Sequence, residues 1–265
     1  RERAAQRRLE AVTMLIRAGD IERAGQQLET ASSDIEKMPR TSFSAGLRAR
    51  VKLERARLRW LGMGNQESSF SLDGALALAC EARAELGTIA ASNVRTDAAA
   101  TIAGIAYDLG DGASLERASK ELSDTIASLL GEGSDVEASM LINDQAAVHL
   151  RMGHVTKAAE LLTQSLGLLD RIVRESPSNT LAAIDLTETH HLISRLPLHF
   201  TDQTKKGDPA AKAQPDDKMH AMLTDIESAI KHALIAEAGY EAFHMRRELG
   251  RVAETLARLE AKRNN

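Results

Sequence analysis

The chain has 265 residues, 43% hydrophobic, 27% charged and only 3% aromatic, with a formal net charge of −4. That length and apolar content support a substantial core and exclude a wholly disordered chain, and a core volume supplied by alanine and leucine argues against a β-sandwich and for an all-α protein. The single cysteine, Cys80, excludes an internal disulfide, and apolar stretches such as Ala98 to Tyr107 fall far short of the roughly 18–20 residues of a membrane span, so a reducing, cytoplasmic setting with no membrane span is expected.

Charge is unevenly distributed: residues 1–60 carry +6, residues 61–200 carry −10, and residues 201–265 are balanced. The chain opens on Arg1 with neither an initiator methionine nor an apolar leader, so no signal peptide is expected in these residues and a fragment of a longer protein is.

In chain order, residues 2–18 predict a first helix, Gly19-Asp20 a corner, and residues 21–37 a second helix with Ala24 and Leu28 one turn apart. The helix over 44–61 carries Arg48, Arg50, Lys52, Arg55, Arg57 and Arg59 and ends at Gly62-Met63-Gly64. A nucleic-acid face of that density usually interleaves aromatics, and only Trp60 is near, so no nucleic-acid partner is expected and these charges read as a solvated helix face or, alternatively, as a basic surface for an acidic protein segment. Residues 73–86 predict a helix offering Ala77. Gly110-Asp111-Gly112 separates helices over 95–109 and 114–130, the second with Ala118 and Leu122.

Residues 143–166 then run as helix, Gly153 corner, and amphipathic helix with Ala158 and Leu162; Ala77, Ala118 and Ala158 follow at 41 and 40 residues. A small residue recurs where antiparallel helices approach most closely, since only a small side chain lets ridges enter grooves there.

Beyond Pro177-Ser178-Asn179 a helix is expected to stop at Leu196-Pro197. Residues 201–216, nearly free of large apolar side chains and holding two prolines, predict a mobile loop. A helix over 217–236 places Met222, Ile226, Ala229 and Ala233 on one face, Gly239 interrupts, and a last helix carries the stripe Tyr240, Phe243, Leu249, Val252, Leu256, Leu259. The stripe reads as the cap of the array, or alternatively as a docking face for another subunit. The expected organisation is thus a helical-hairpin array over 1–200, the loop over 201–216, and a capping helical pair over 217–265. Pairing of the basic N-terminal part with the acidic middle would also permit a homo-oligomer.

Two Glu-x-x-His motifs, Glu188/His191 and Glu241/His244, would set a carboxylate and an imidazole on one helix face, as in di-iron bundles. The two further glutamates such a centre needs are not evident, and two such pairs are no more than chance accounts for in this composition. No metal and no cofactor are expected. His190, His191, His199, His220 and His244 read as surface or partly buried histidines able to make partner binding pH-sensitive. Phosphate-binding, dinucleotide, zinc-protease and nucleophile-elbow motifs are absent, so no enzymatic activity is expected.

The hairpin residues resemble the tetratricopeptide repeat family. Residues 139–172 match through Ala146, Gly153, Val155, Ala158, Leu162 and Ser165, and residues 5–37 through Gly19, Asp20, Ile21, Ala24, Leu28 and Ala31. Spacing near 40 residues departs from the family's usual value of about 34, and Leu, Ile or Val occupies most of its aromatic positions. The resemblance implies an α–α superhelix, a solenoid of about ten to eleven antiparallel helices, with first helices lining a groove that grips a peptide or helix of a partner protein. Members that hold acidic C-terminal peptides use a Lys/Asn/Arg clamp; the matching positions here are Met140, Asn143, Asp144, Ala147 and Arg151, which do not carry it.

The expected function is a protein-interaction scaffold or adaptor, with a regulatory or sensor segment of a larger multidomain protein as the alternative and a helical metal-binding protein behind both. Asp97, Asp108 and Asp144 are the candidates for attracting a basic or amphipathic partner segment, with Asn143 and Arg151 as further polar contacts.

Overall fold

The computed structural model describes residues 2–62, 71–87, 92–206 and 217–264, and its regular structure there is entirely α-helical. In chain order the helices are α1 (Glu2–Arg17), α2 (Ile21–Glu36), α3 (Ser42–Gly62), α4 (Leu72–Leu86), α5 (Ser92–Leu109), α6 (Gly112–Gly131), α7 (Asp135–Met152), α8 (Val155–Glu175), α9 (Thr180–Lys206), α10 (Asp217–Thr224), α11 (Ile226–Ala242) and α12 (Arg246–Arg263). Among the described residues none of these is long and apolar enough to cross a membrane. The chain forms two compact units, Arg1–Ser114 and Leu115–Asn265, a boundary the sequence reading did not place there.

In the first unit, α1 pairs with α2 and α3 with α4, while the first helices of successive hairpins, α1, α3 and α5, also pack on one another. Their core joins Leu9, Val12 and Ile16 of α1 to Leu28, Ala31 and Ile35 of α2 and Leu47 and Val51 of α3. A second cluster takes Ala49 and Leu53 from the other side of α3 with Ala82 and Leu86 of α4 and Ala98 of α5. α3 is therefore covered on two sides, which is why its apolar residues do not form a single stripe.

In the second unit, α7 pairs with α8 and α9 with α11, and the first helices α7 and α9 adjoin. At the corner, Gly153 adopts φ 84°; its N–H bonds Leu150 O at 3.1 Å and the His154 N–H bonds His149 O at 2.8 Å, closing α7 with a left-handed cap. The small and apolar positions of this hairpin are buried: Ala146, Ala158, Leu162 and Ser165 are 0% exposed. In α4, by contrast, the small residues that face the core are Ala75, Ala79 and Ala82, whereas Ala77 is exposed. The regular spacing runs through Ala79, Ala118 and Ala158, at 39 and 40 residues.

Three boundaries differ from expectation. α9 runs through Pro197 to Lys206 rather than stopping at Leu196, so 201–206 is helix rather than loop; the remainder of the expected loop, 207–216, lies outside the described residues. Proline inside a helix costs about 3 kcal/mol, but Ile193, Leu196 and Leu198 around it are buried. The Pro197 carbonyl accepts from Thr201 Oγ1 at 2.9 Å and from Lys262 Nζ at 2.8 Å. The helix expected over 217–236 is divided by Asp225, whose extended backbone and carboxylate, bonded to the Ser228 N–H at 3.0 Å, start α11 afresh. Twelve helices result among the described residues, where ten to eleven were expected.

Gly239 does not interrupt α11. It sits inside the helix, where a Cβ would lie 2.4 Å from Thr187 Oγ1 of α9, so its absence permits a close approach of two helices. The interruption comes at His244, with φ 56° between α11 and α12. Part of the C-terminal stripe is covered within its own unit: Tyr240, Val252 and Leu259 are 0% exposed and cluster with Ala229, Ala233 and Leu198.

Candidate functional site

The basic residues of α3 are engaged with neighbouring helices. Arg55 Nη2 reaches both carboxylate oxygens of Glu29 on α2 at 3.1 Å, and Lys52 Nζ meets Glu85 at 2.6 Å and Glu81 at 3.2 Å on α4. Arg57 donates to Thr101 Oγ1 at 2.9 Å and to the Asp97 carbonyl at 3.1 Å, and pairs with Asp97 Oδ1 at 3.4 Å, all on α5. Its third partner, Glu54, is 1% exposed and accepts also from Thr13 Oγ1 of α1 at 2.8 Å. Much of what reads as a solvated basic face is a set of ties fastening α3 to α1, α2, α4 and α5.

Those ties decide the surroundings of two candidate residues. Asp97 is partnered by Arg57, and Asp108 accepts from Trp60 Nε1 at 2.7 Å, where the indole lies so close to α5 that a Cβ on Gly104 would be 2.3 Å from it. Both carboxylates are thus committed to the packing of α3 on α5.

In the second unit, Asn143 of α7 is 4% exposed and turned into α9: Nδ2 donates to Asp185 O at 3.2 Å and Oδ1 accepts from Thr189 Oγ1 at 3.1 Å. Arg151 is exposed near the end of α7. Asp144 is half-buried, and it is brought together with two α9 carboxylates that the sequence reading did not single out as binding residues, Asp185 and Glu188.

Burial first, and then the Glu188 charge, raises Asp144 to about 7; burial, then Asp144, then Glu188, raises Asp185 to about 7. Asp185 Oδ2 is shielded from solvent and accepts no hydrogen bond. Glu188 accepts from the Tyr240 hydroxyl of α11, a phenol pushed upward by burial and by that carboxylate. Among the described residues no lysine or arginine pairs with Asp144, Asp185 or Glu188. The i, i+3 spacing of Asp185 and Glu188 was visible as one helix face; their approach to Asp144 depends on α7 lying against α9.

The two Glu-x-x-His motifs come apart. Glu188 turns to Tyr240, while the His191 ring stands edge-on to Tyr240 and its Nε2 lies 3.4 Å from Thr255 Oγ1. His244 lies outside the helix that carries Glu241. Among the described residues no three His, Cys, Asp or Glu side chains are grouped to hold a metal ion.

No family model and no curated protein matches the chain. Among solved structures, a crystal structure of Rap protein complexed with competence and sporulation factor is similar over 99% of both chains, at 10% sequence identity and a TM-score of 0.30. A likeness at that score carries no argument, and the description of the chain as all-α helical hairpins rests on its own helix packing.

Proposed function

We propose that the chain is a non-catalytic protein-interaction module whose second unit takes a lysine- or arginine-bearing segment of a partner protein on the face shared by α7 and α9. The observation that carries this reading is the approach of Asp144, Asp185 and Glu188 to one another with no lysine or arginine paired to them among the described residues. Half-buried carboxylates that repel one another are costly to ionise. An incoming ammonium or guanidinium 4 Å from one of them offsets that by about 4 kcal/mol at the effective dielectric of a protein surface. Arginine adds a fork of parallel donors that matches carboxylate geometry.

The test uses amphipathic peptides of equal length and apolar content that differ in the number of lysines and arginines. The basic peptide binds, and the triple variant D144N/D185N/E188Q lowers its affinity by about tenfold or more, the equivalent of about 1.4 kcal/mol, and reduces the salt dependence. The pair D97N/D108N leaves affinity unchanged, because those carboxylates are spent on Arg57 and Trp60. Equal affinities of the triple variant and the parent reject the reading, as does an equal loss in both sets.

A further inference from the structure

Where α9 packs along α11, one level of the interface is polar. His190 and His232, both half-buried, face each other with Nδ1 atoms 2.6 Å apart, ring centroids 4.9 Å apart and planes inclined by 28°. At that distance one Nδ1 carries the proton and the other accepts it. With both rings protonated, two donors and two positive charges would meet and the contact could not persist. A second tie between the same helices, Tyr240 to Glu188, holds one carboxylate of the proposed binding face.

Beside the pair, His232 lines a cavity of about 590 Å³ together with Leu166, Ile193, Met219 and Met222, so a displaced ring has space to enter. One charged neighbour favours protonation of His190, and burial and the facing ring outweigh it. From α8, Asp170 acts on His190, but Glu160 at the cavity wall is already paired with Lys157 at 2.9 Å. Asp225, ahead of α11, caps that helix. α10 contributes Met219 and Met222 to the cavity wall. Arg195 of α9 and Arg251 of α12 act on the neighbouring His191.

We infer that the His190–His232 contact is an acid-sensitive latch: neutral, it closes α9 on α11, and protonation of both rings parts the helices and withdraws Glu188 from the face on which the partner segment binds. The second half of that statement rests on the function proposed above; the first does not. Burial holds both imidazoles below their ordinary range, with the neighbouring ring adding to it at His190, which is lowered to about 4. The open form therefore binds more protons than the closed one: through His190 the opening constant grows about tenfold per pH unit from about 6.5 down to about 4, and His232 adds in the same direction.

The experiment is hydrogen exchange on the free chain, corrected for the intrinsic rate, from about pH 7.5 to about pH 4, comparing the parent with His190→Asn/His232→Asn. In the parent, amide protection in α9 and α11 falls about tenfold or more per pH unit below about 6.5. The variant, whose amides bond each other without titrating, loses that part of the slope and keeps what His191 and, with opposite sign, Asp185 contribute. Equal slopes overturn the inference. Should the variant not fold, the parent's imidazole nitrogens are titrated by NMR. Both rings then titrate below 6.5, together with the loss of α11 protection, whereas a ring titrating at or above 6.5, or protection unchanged down to pH 4, overturns the latch. No partner is present in either measurement, so a failure of peptide binding and a failure of the latch are told apart.

Discussion

The two units treat their carboxylates in opposite ways. In the first, Glu29, Glu54, Glu81, Glu85 and Asp97 each meet a lysine or arginine of α3, and the charge is spent holding helices together. In the second, Asp144 of α7 and Asp185 and Glu188 of α9 act on one another, with no lysine or arginine paired to them among the described residues. The difference shows that a regional excess of negative charge does not tell which carboxylates are neutralised. Asp97 and Asp108 belong to the same acidic stretch as Asp144, yet of the three only Asp144 joins carboxylates that no lysine or arginine pairs among the described residues.

The largest effect expected from breaking this contrast lies in the first unit. Arg57→Ala leaves Glu54 buried without its cation and destabilises by about 3–5 kcal/mol. Trp60 is the only tryptophan, so urea unfolding followed by its fluorescence reports on that unit, and a loss under about 1 kcal/mol would show the pair to be dispensable.

Next in size is Gly239→Ala, which drives a methyl into Thr187 and costs about 1–3 kcal/mol, with Thr187→Ala restoring most of it. Equal costs with and without the second substitution would mean that the glycine serves something other than close approach.

In the second unit the sign reverses. Asp185 binds a proton more tightly folded than unfolded, so its contribution favours folding at low pH and is lost as pH rises from about 4 to about 7. Asp185→Asn therefore stabilises at pH 8, on the order of 1–2 kcal/mol after allowing for solvent screening of a half-buried group. His149, His190 and His191, each lowered to about 4, act in the opposite direction, so their part of the stability rises with pH between about 4 and 6.5. Removing Asp185 should expose that histidine slope, and denaturation midpoints collected across pH would show no change of slope if the carboxylates were not coupled. The smallest effect is expected from Arg55→Ala, which removes an exposed ion pair to Glu29 and costs under about 1 kcal/mol by the same measurement.

How much of this was legible beforehand follows from which forces act locally. Corners at Gly19, Gly110 and Gly153, the helices they separate, and the buried Ala158/Leu162 and Ala118/Leu122 pairs were all readable, because capping and the 3.6-residue period are properties of neighbouring residues. Gly239 and Pro197 misled because their usual local meaning was outweighed by contacts with Thr187 and with the buried side chains around Pro197. The candidate site was half legible. Asp144 was named, but Asn143 proved to be a buried tie between helices, and Glu188 was noticed for a histidine it does not turn to.

By itself, then, the sequence determined that this protein is all-α and where most helices begin and end, since backbone hydrogen bonding and apolar periodicity are set within a few residues; it placed Ala118 and Ala158 in the core but not Ala79, in whose stead it offered the exposed Ala77. Only the tertiary structure decided which charges are neutralised and which are left together. Arg57 finds Asp97 40 residues away and Asp144 meets Asp185 41 residues away, and electrostatic partnership between helices depends on distances that no local pattern records.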